Sequence, residues 1–207
     1  MTISWFGISS FKIVGKDITI ITDPFGSNTG LSPVRGAADA VIVSNPKSPL
    51  SGNYSSISGE PFMVAGSGEY EIKGAGILGT PAESDPGGGI IYSIELEDIR
   101  IAFLGLIKQS TLTDTQKEVL EGADVVLIGV GNGSVLNFEQ AAKIATQLEP
   151  FYVIPHTYAI SGLKGNFDRV DRFIKEMGEP IKDDKLTIKK KDLAGDITKL
   201  VVLDPQR

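Results

Sequence analysis

The chain is 207 residues long, 41% hydrophobic and 22% charged, with a formal net charge of −6, one histidine and no cysteine. That length accommodates one sizeable core rather than two independent ones. The acidic balance disfavours a nucleic-acid partner, and the absence of thiols excludes disulfides, thiolate nucleophiles and sulfur-rich zinc sites. Residues 2–6 already read as a strand with no basic leader, and no apolar run approaches the ~20 residues needed to cross a bilayer. A soluble, cytoplasmic protein with no membrane partner is expected.

In chain order, the first half is strand-rich. TISWF, SSFKIVG and ITIITDP form a meander, and ADAVIVS follows as a buried strand. Shorter strands are predicted at 62–64, 70–73, 77–78, 90–96 and 100–106, separated by glycine-bearing turns at 66–68 and 86–89. From Thr113 the pattern alternates helix and strand. Thr113 with Gln116, and Asn137 with Gln140, are capping-box pairs that open two helices. Strands are expected at 123–130 and 151–155. Asn166 is expected to cap a third helix that turns Phe167, Val170, Ile174 and Met177 inward and ends at Gly178. Strands at 186–188 and 199–203 complete the chain. The basic run Lys189-Lys190-Lys191, beside Asp183, Asp184 and Asp192, reads as a solvated turn.

Several phrases, taken in order, resemble the metallo-β-lactamase fold superfamily. They are Trp5-Phe6-Gly7-Ile8-Ser9-Ser10-Phe11, Thr22-Asp23-Pro24, GSGEYE at 66–71, LTDTQ at 112–116 and IPHTY at 154–158. The chain looks like the short zinc-dependent-hydrolase branch, which includes proteins similar to the lactonase-like enzymes of ascorbate metabolism. The resemblance implies an α/β (α+β) architecture: a four-layer αββα sandwich with two mixed β-sheets and outer helices, spanning 1–207 as one domain.

It also implies a metal signature, His-x-His-x-Asp-His, in the loop after the strand at 40–43, where close spacing lets one loop wrap two ions. Those four positions here are Asn45, Lys47, Pro49 and Leu50. The family's remaining site positions align with Ile8, Ser84, Leu106 and Thr157, and His156 sits one place before the expected register. Proline, leucine and isoleucine carry no donor atoms, and Lys47 would place a cation where zinc belongs. The resemblance therefore implies a stripped site with neither metal nor cofactor, lined by Ile8, Asn45, Lys47, Pro49, Leu50, Ser84, Leu106, His156 and Thr157.

His156 is the weak catalytic candidate. It is either a polar group left in the pocket or a strand-end histidine satisfied by backbone, since successive strand residues face opposite ways. Glu69 and Glu71 share one face of a strand and read as structural rather than as an acid–base pair. Asp23 is expected to cap its loop, with a role at the pocket mouth as the alternative. The glycine-bearing stretches at 86–89 and 129–133 lack the features of phosphate-binding loops, and no serine sits in a G-x-S-x-G elbow. The expectation is a non-catalytic binding or scaffolding module whose partner is a small anion or a protein, including a second copy of itself. The alternative is a hydrolase of the superfamily acting on lactones or phosphoesters.

Overall fold

Alternating burial creates the first sheet. The computed structural model describes residues 1–195 and 197–206. In β1 (Thr2–Gly7), Ile3 and Trp5 point inward while Thr2 and Ser4 are partly exposed, the period of a strand with one covered face. It pairs with β2 (Ser10–Val14), which pairs with β3 (Thr19–Thr22). A two-residue strand β4 (Gly36–Ala37) leads to β5 (Ala40–Ile42), which is buried throughout and runs parallel to β3. Then come β6 (Ile57–Ser58), which pairs with β4, and β7 (Phe62–Val64), which closes one edge beside β5.

The second sheet follows: β8 (Gly68–Ile72), β9 (Ala75–Ala82), β10 (Gly89–Leu96), β11 (Ile99–Phe103), α1 (Asp114–Leu120), β12 (Val125–Gly129), α2 (Phe138–Gln147) and β13 (Tyr152–His156). Its central strands β12 and β13 are buried along their whole length and pair in parallel, the signature of strands covered on both faces. After α3 (Asp171–Met177), β14 (Ile181–Asp183) extends this sheet beyond the last strand, β16 (Lys199–Leu203). Between them β15 (Lys185–Thr187) crosses to the first sheet and pairs with β1. The orders are β15-β1-β2-β3-β5-β7 and β14-β16-β13-β12-β11-β10-β9-β8, both sheets mixed. Helix α1 packs on β9 and β10, and α2 packs on β12 and against α3.

The main core fills the space between the sheets, with Trp5, Phe11, Tyr92 and Phe103 among its largest fully buried members. Tyr92 also ties the two layers directly, its hydroxyl donating to the Val43 carbonyl at 3.1 Å. No helix among the described residues is long and apolar enough to cross a membrane.

Both capping boxes form as expected: the side chains of Thr113 and Asn137 accept from the N–H groups of Gln116 and Gln140, and each glutamine reaches back to its cap. Asn166 does not cap α3, which starts at Asp171 with Val170 before it and no side-chain cap. The stretch ahead of it is spent on tertiary bonds instead, Asp168 N–H donating to the Gly131 carbonyl at 2.7 Å and Ala159 N–H to the Asp168 carbonyl at 2.9 Å. Strand β9 is longer than its apolar pair Ile77-Leu78 suggested, because β8 and β10 flank it and supply ladder partners along its length. Replacing Asn137 with alanine should lower unfolding free energy by about 1 kcal/mol in urea titrations, whereas Asn166→Ala should change it by less than about 0.5 kcal/mol.

Candidate functional site

The segments that end β1, β3, β5 and β11 converge at one end of the sandwich. Gly7, with φ 112°, follows a register shift in the β1–β2 pairing and turns the chain into Ile8, whose φ is 52°. A β-branched residue in the left-handed region is a conformational outlier. Two donors hold it there: the Trp5 indole N–H at 2.9 Å and the Thr157 N–H at 3.1 Å both bond the Ile8 carbonyl. Thr157, also β-branched, has φ 52°, and Asp23 at the end of β3 has φ 37°.

Asp23 is fully buried and accepts at both carboxylate oxygens. Oδ1 receives the Ser44 N–H at 2.7 Å, and Oδ2 receives the Ser9 hydroxyl at 2.6 Å together with the Ser44 hydroxyl. Burial pushes its pKa up to about 6 against the donors, which favour the charged form. The Ser44 oxygen in turn accepts from the Leu106 N–H at 3.2 Å, so the node links both sheets.

The polar residues at the aligned ligand positions are committed to one another. Asn45 donates from Nδ2 to Ser84 Oγ at 2.9 Å and to the Pro86 carbonyl at 3.2 Å, and its Oδ1 accepts from the Lys47 N–H at 3.0 Å. The Ser84 hydroxyl in turn donates to the Leu106 carbonyl. The apolar residues form a second core. Ile8 and Leu106 are buried with Ile21, Phe25, Val34, Ala38 and Val135, and Leu50 packs against them.

Not every expected member points inward. Lys47 and Pro49 are exposed. The Lys47 side chain lies over the Gly87 backbone rather than in a metal's place, because water solvates an ammonium far better than an apolar plug does. His156 is buried, but in the main core: its ring stands edge-on to Phe11 at 5.6 Å and tilted to Phe103 at 6.4 Å. Its Nδ1 lies 2.8 Å from the Thr157 hydroxyl, and Nε2, on the side of the Leu127 carbonyl, makes no well-aligned hydrogen bond to any described residue. Burial drives its pKa down to about 3, which the Leu127 carbonyl only partly offsets. The imidazole is therefore neutral at pH 7.

This donor set does not fit a transition ion. Ile8, Pro49, Leu50 and Leu106 offer no side-chain donor, and the remaining amide and hydroxyls are neutral, weak ligands already engaged with each other. Among the described residues no three of His, Asp and Glu are grouped to hold a metal. Phrase order in the sequence pointed to Ile8, Asn45, Leu50, Ser84, Leu106 and Thr157, and the structure brings these together. It did not point to Ser9 and Ser44, whose only signal is that each adjoins an aligned ligand position.

Two facing mixed sheets with this end-loop arrangement define a metallo-β-lactamase-type sandwich. Residues 2–157 match the family model described as the beta-lactamase superfamily domain, and the chain belongs to that family. Among solved structures it is similar to a candidate Zn-dependent hydrolase of the metallo-beta-lactamase superfamily from Thermotoga maritima. The two are 28% identical with a TM-score of 0.83, covering 98% of this chain and 97% of that one. It is also similar in fold to Igni18, a metallo hydrolase from Ignicoccus hospitalis, at 16% identity and a TM-score of 0.69 over 100% and 96% of the two chains. A candidate metal-dependent hydrolase from Parabacteroides distasonis shares the fold at 15% identity and a TM-score of 0.62, over 99% and 93%. No curated protein matches.

Two buried groups pull acid stability in opposite directions. Asp23 ionises near 6 when folded against 3.8 ordinarily, so the folded chain holds the extra proton between those values. Its contribution falls as pH rises through that window, by about 3 kcal/mol in all. His156 ionises near 3 when folded against 6.5 ordinarily, so the unfolded chain takes up the proton first. Stability is then lost as pH falls from 6.5 towards 3, by about 5 kcal/mol. Urea unfolding at pH 7 and pH 4.5 should show that His156→Gln makes acidification less destabilising than in the parent and that Asp23→Asn makes it more so.

Proposed function

We propose that this chain is a non-catalytic member of the metallo-β-lactamase superfamily, a binding or scaffolding module that needs no metal. One observation carries the reading: Ile8 and Leu106, at positions aligned with the family's site, are buried in one apolar cluster, and Leu50, at a third such position, packs against it. Hydrolysis by this superfamily's chemistry needs an ion to polarise the scissile bond and to generate hydroxide, and these side chains have nothing with which to grip one. The strained backbone at Ile8, Asp23 and Thr157 supports the same reading. Left-handed geometry at β-branched residues is costly, and Ile8 and Thr157 keep it at aligned site positions although isoleucine has no donor atom to present there. His156 lends no support to a metal-free hydrolase, because its ring is fully buried against Phe11 and Phe103, where no substrate reaches it.

Elemental analysis of the purified chain is expected to find zinc, iron and manganese well below one equivalent. Near-stoichiometric metal would overturn the reading in favour of a lactone or phosphoester hydrolase. Leu106→Asp supplies a second check. It restores a carboxylate at an aligned position, and without an ion it buries an uncompensated charge at a cost of about 3–5 kcal/mol, whereas Leu106→Met costs under about 1.5 kcal/mol. Added zinc should not recover the loss in Leu106→Asp; recovery to the parent melting temperature would mean that a metal site survives.

A further inference from the structure

Beside the apolar plug lies a cavity of about 580 Å3, with Phe6, Leu31, Val34 and Ile160 among its walls and Arg35 among its lining residues. That volume is in the range that encloses a small organic ligand. Its inner wall is continuous with the plug, since Phe6, Leu31 and Val34 pack in the same cluster as Ile8 and Leu106.

The walls are tied together rather than loosely apposed. Lys164 N–H donates to the Thr29 carbonyl at 2.8 Å, joining the two loops that face across the opening. Gly30 and Gly162, with φ 88° and 89°, let those loops pass closely enough that a Cβ on Gly30 would strike the Gly162 carbonyl. The C-terminal segment closes a further side: Gln206 N–H donates to the Trp5 carbonyl at 2.7 Å, and its side-chain amide donates to the Asp184 carbonyl at 2.9 Å.

Charge then selects the ligand. Arg35 is the only ionisable side chain among the described residues lining the cavity, and it forms no ion pair with any described residue. A single guanidinium beside apolar walls matches a planar monoanion with an apolar body; its fork pairs two-fold with a carboxylate. A phosphate dianion would be left half neutralised. We propose that this cavity binds a small organic carboxylate, its head group on Arg35 and its aliphatic or aromatic body against Phe6, Leu31 and Ile160. The inference deepens the binding-module reading and rests on it for its biological sense.

Isothermal titration of the full chain with 3-phenylpropanoate and with octanoate tests it, against 3-phenylpropanamide, acetate and phenyl phosphate as controls. At least one of the two carboxylates should bind, with the amide, acetate and phenyl phosphate at least tenfold weaker. Arg35→Ala should weaken binding at least tenfold and Arg35→Lys less, because lysine keeps the charge but loses the fork. Arg35 is exposed, so urea midpoints should match the parent and show that the variants fold. Ser161→Phe, at the cavity's exposed rim, should block binding without touching the arginine. Failure of both carboxylates to bind, equal affinity for the amide, tighter binding of phenyl phosphate, or unchanged affinity in Arg35→Ala would each overturn the assignment. Metal content is a separate readout, so the proposed function and this inference fail independently.

Discussion

The buried carboxylate of Asp23 holds the end of the sandwich together. Its donors come from the turn after β1, through Ser9, and from the loop after β5, through Ser44. The Ser44 oxygen then reaches the second sheet through the Leu106 N–H. Removing a carboxylate from water is costly, which is why its pKa rises to about 6, and the three donors are what make the burial tolerable. A buried polar node whose acceptors are all satisfied specifies one arrangement of the surrounding loops. Gly105, with φ 53°, serves the same contact, since a Cβ there would collide with the Ser44 side chain.

Around that node, loops that a metal ion would cross-link in an active relative are joined by weaker and more numerous bonds. Asn45 reaches Ser84, Ser84 reaches the Leu106 carbonyl, and Thr157 reaches Ile8. Each such bond contributes about 1 kcal/mol net, and the apolar side chains between them add burial that an ion-binding site could not have. Backbone strain at Ile8 and Thr157 costs about 1–3 kcal/mol each, and it persists because the surrounding contacts over-determine both residues. The consequence is a closed floor. The cavity next to Phe6 and Leu31 lies beside this plug.

The candidate site was legible in the sequence wherever chemistry depends on residue type. Ile8, Leu50 and Leu106 lack donor atoms in any conformation, so their aligned positions alone argue against a metal. Direction was another matter. Loop residues 45–51 curl through bonds from Ser48 N–H and the Ser51 hydroxyl to the Asn45 carbonyl, which keeps Asn45 inward and leaves Lys47 outside. His156 pairs in register with Gly129, and that register, together with the Phe11 and Phe103 rings, sends the imidazole into the core. Arg35 carried no signal, because nothing in its neighbours foretells that the distant loops holding Thr29 and Lys164 will meet.

What the sequence by itself determined are the features set over three or four residues. Both capping boxes, the buried runs of β5, β12 and β13, the glycine that ends α3 and the missing donor atoms all follow from local hydrogen bonding, periodicity and composition. Tertiary structure alone decided the length of β9, the late start of α3, the crossing of β15 to the first sheet, the serine partners of Asp23 and the cavity beside Arg35. Each of these depends on which distant segment supplies a hydrogen-bond partner or excludes water. That choice is made when two sheets close on a shared core, not within any short stretch of chain.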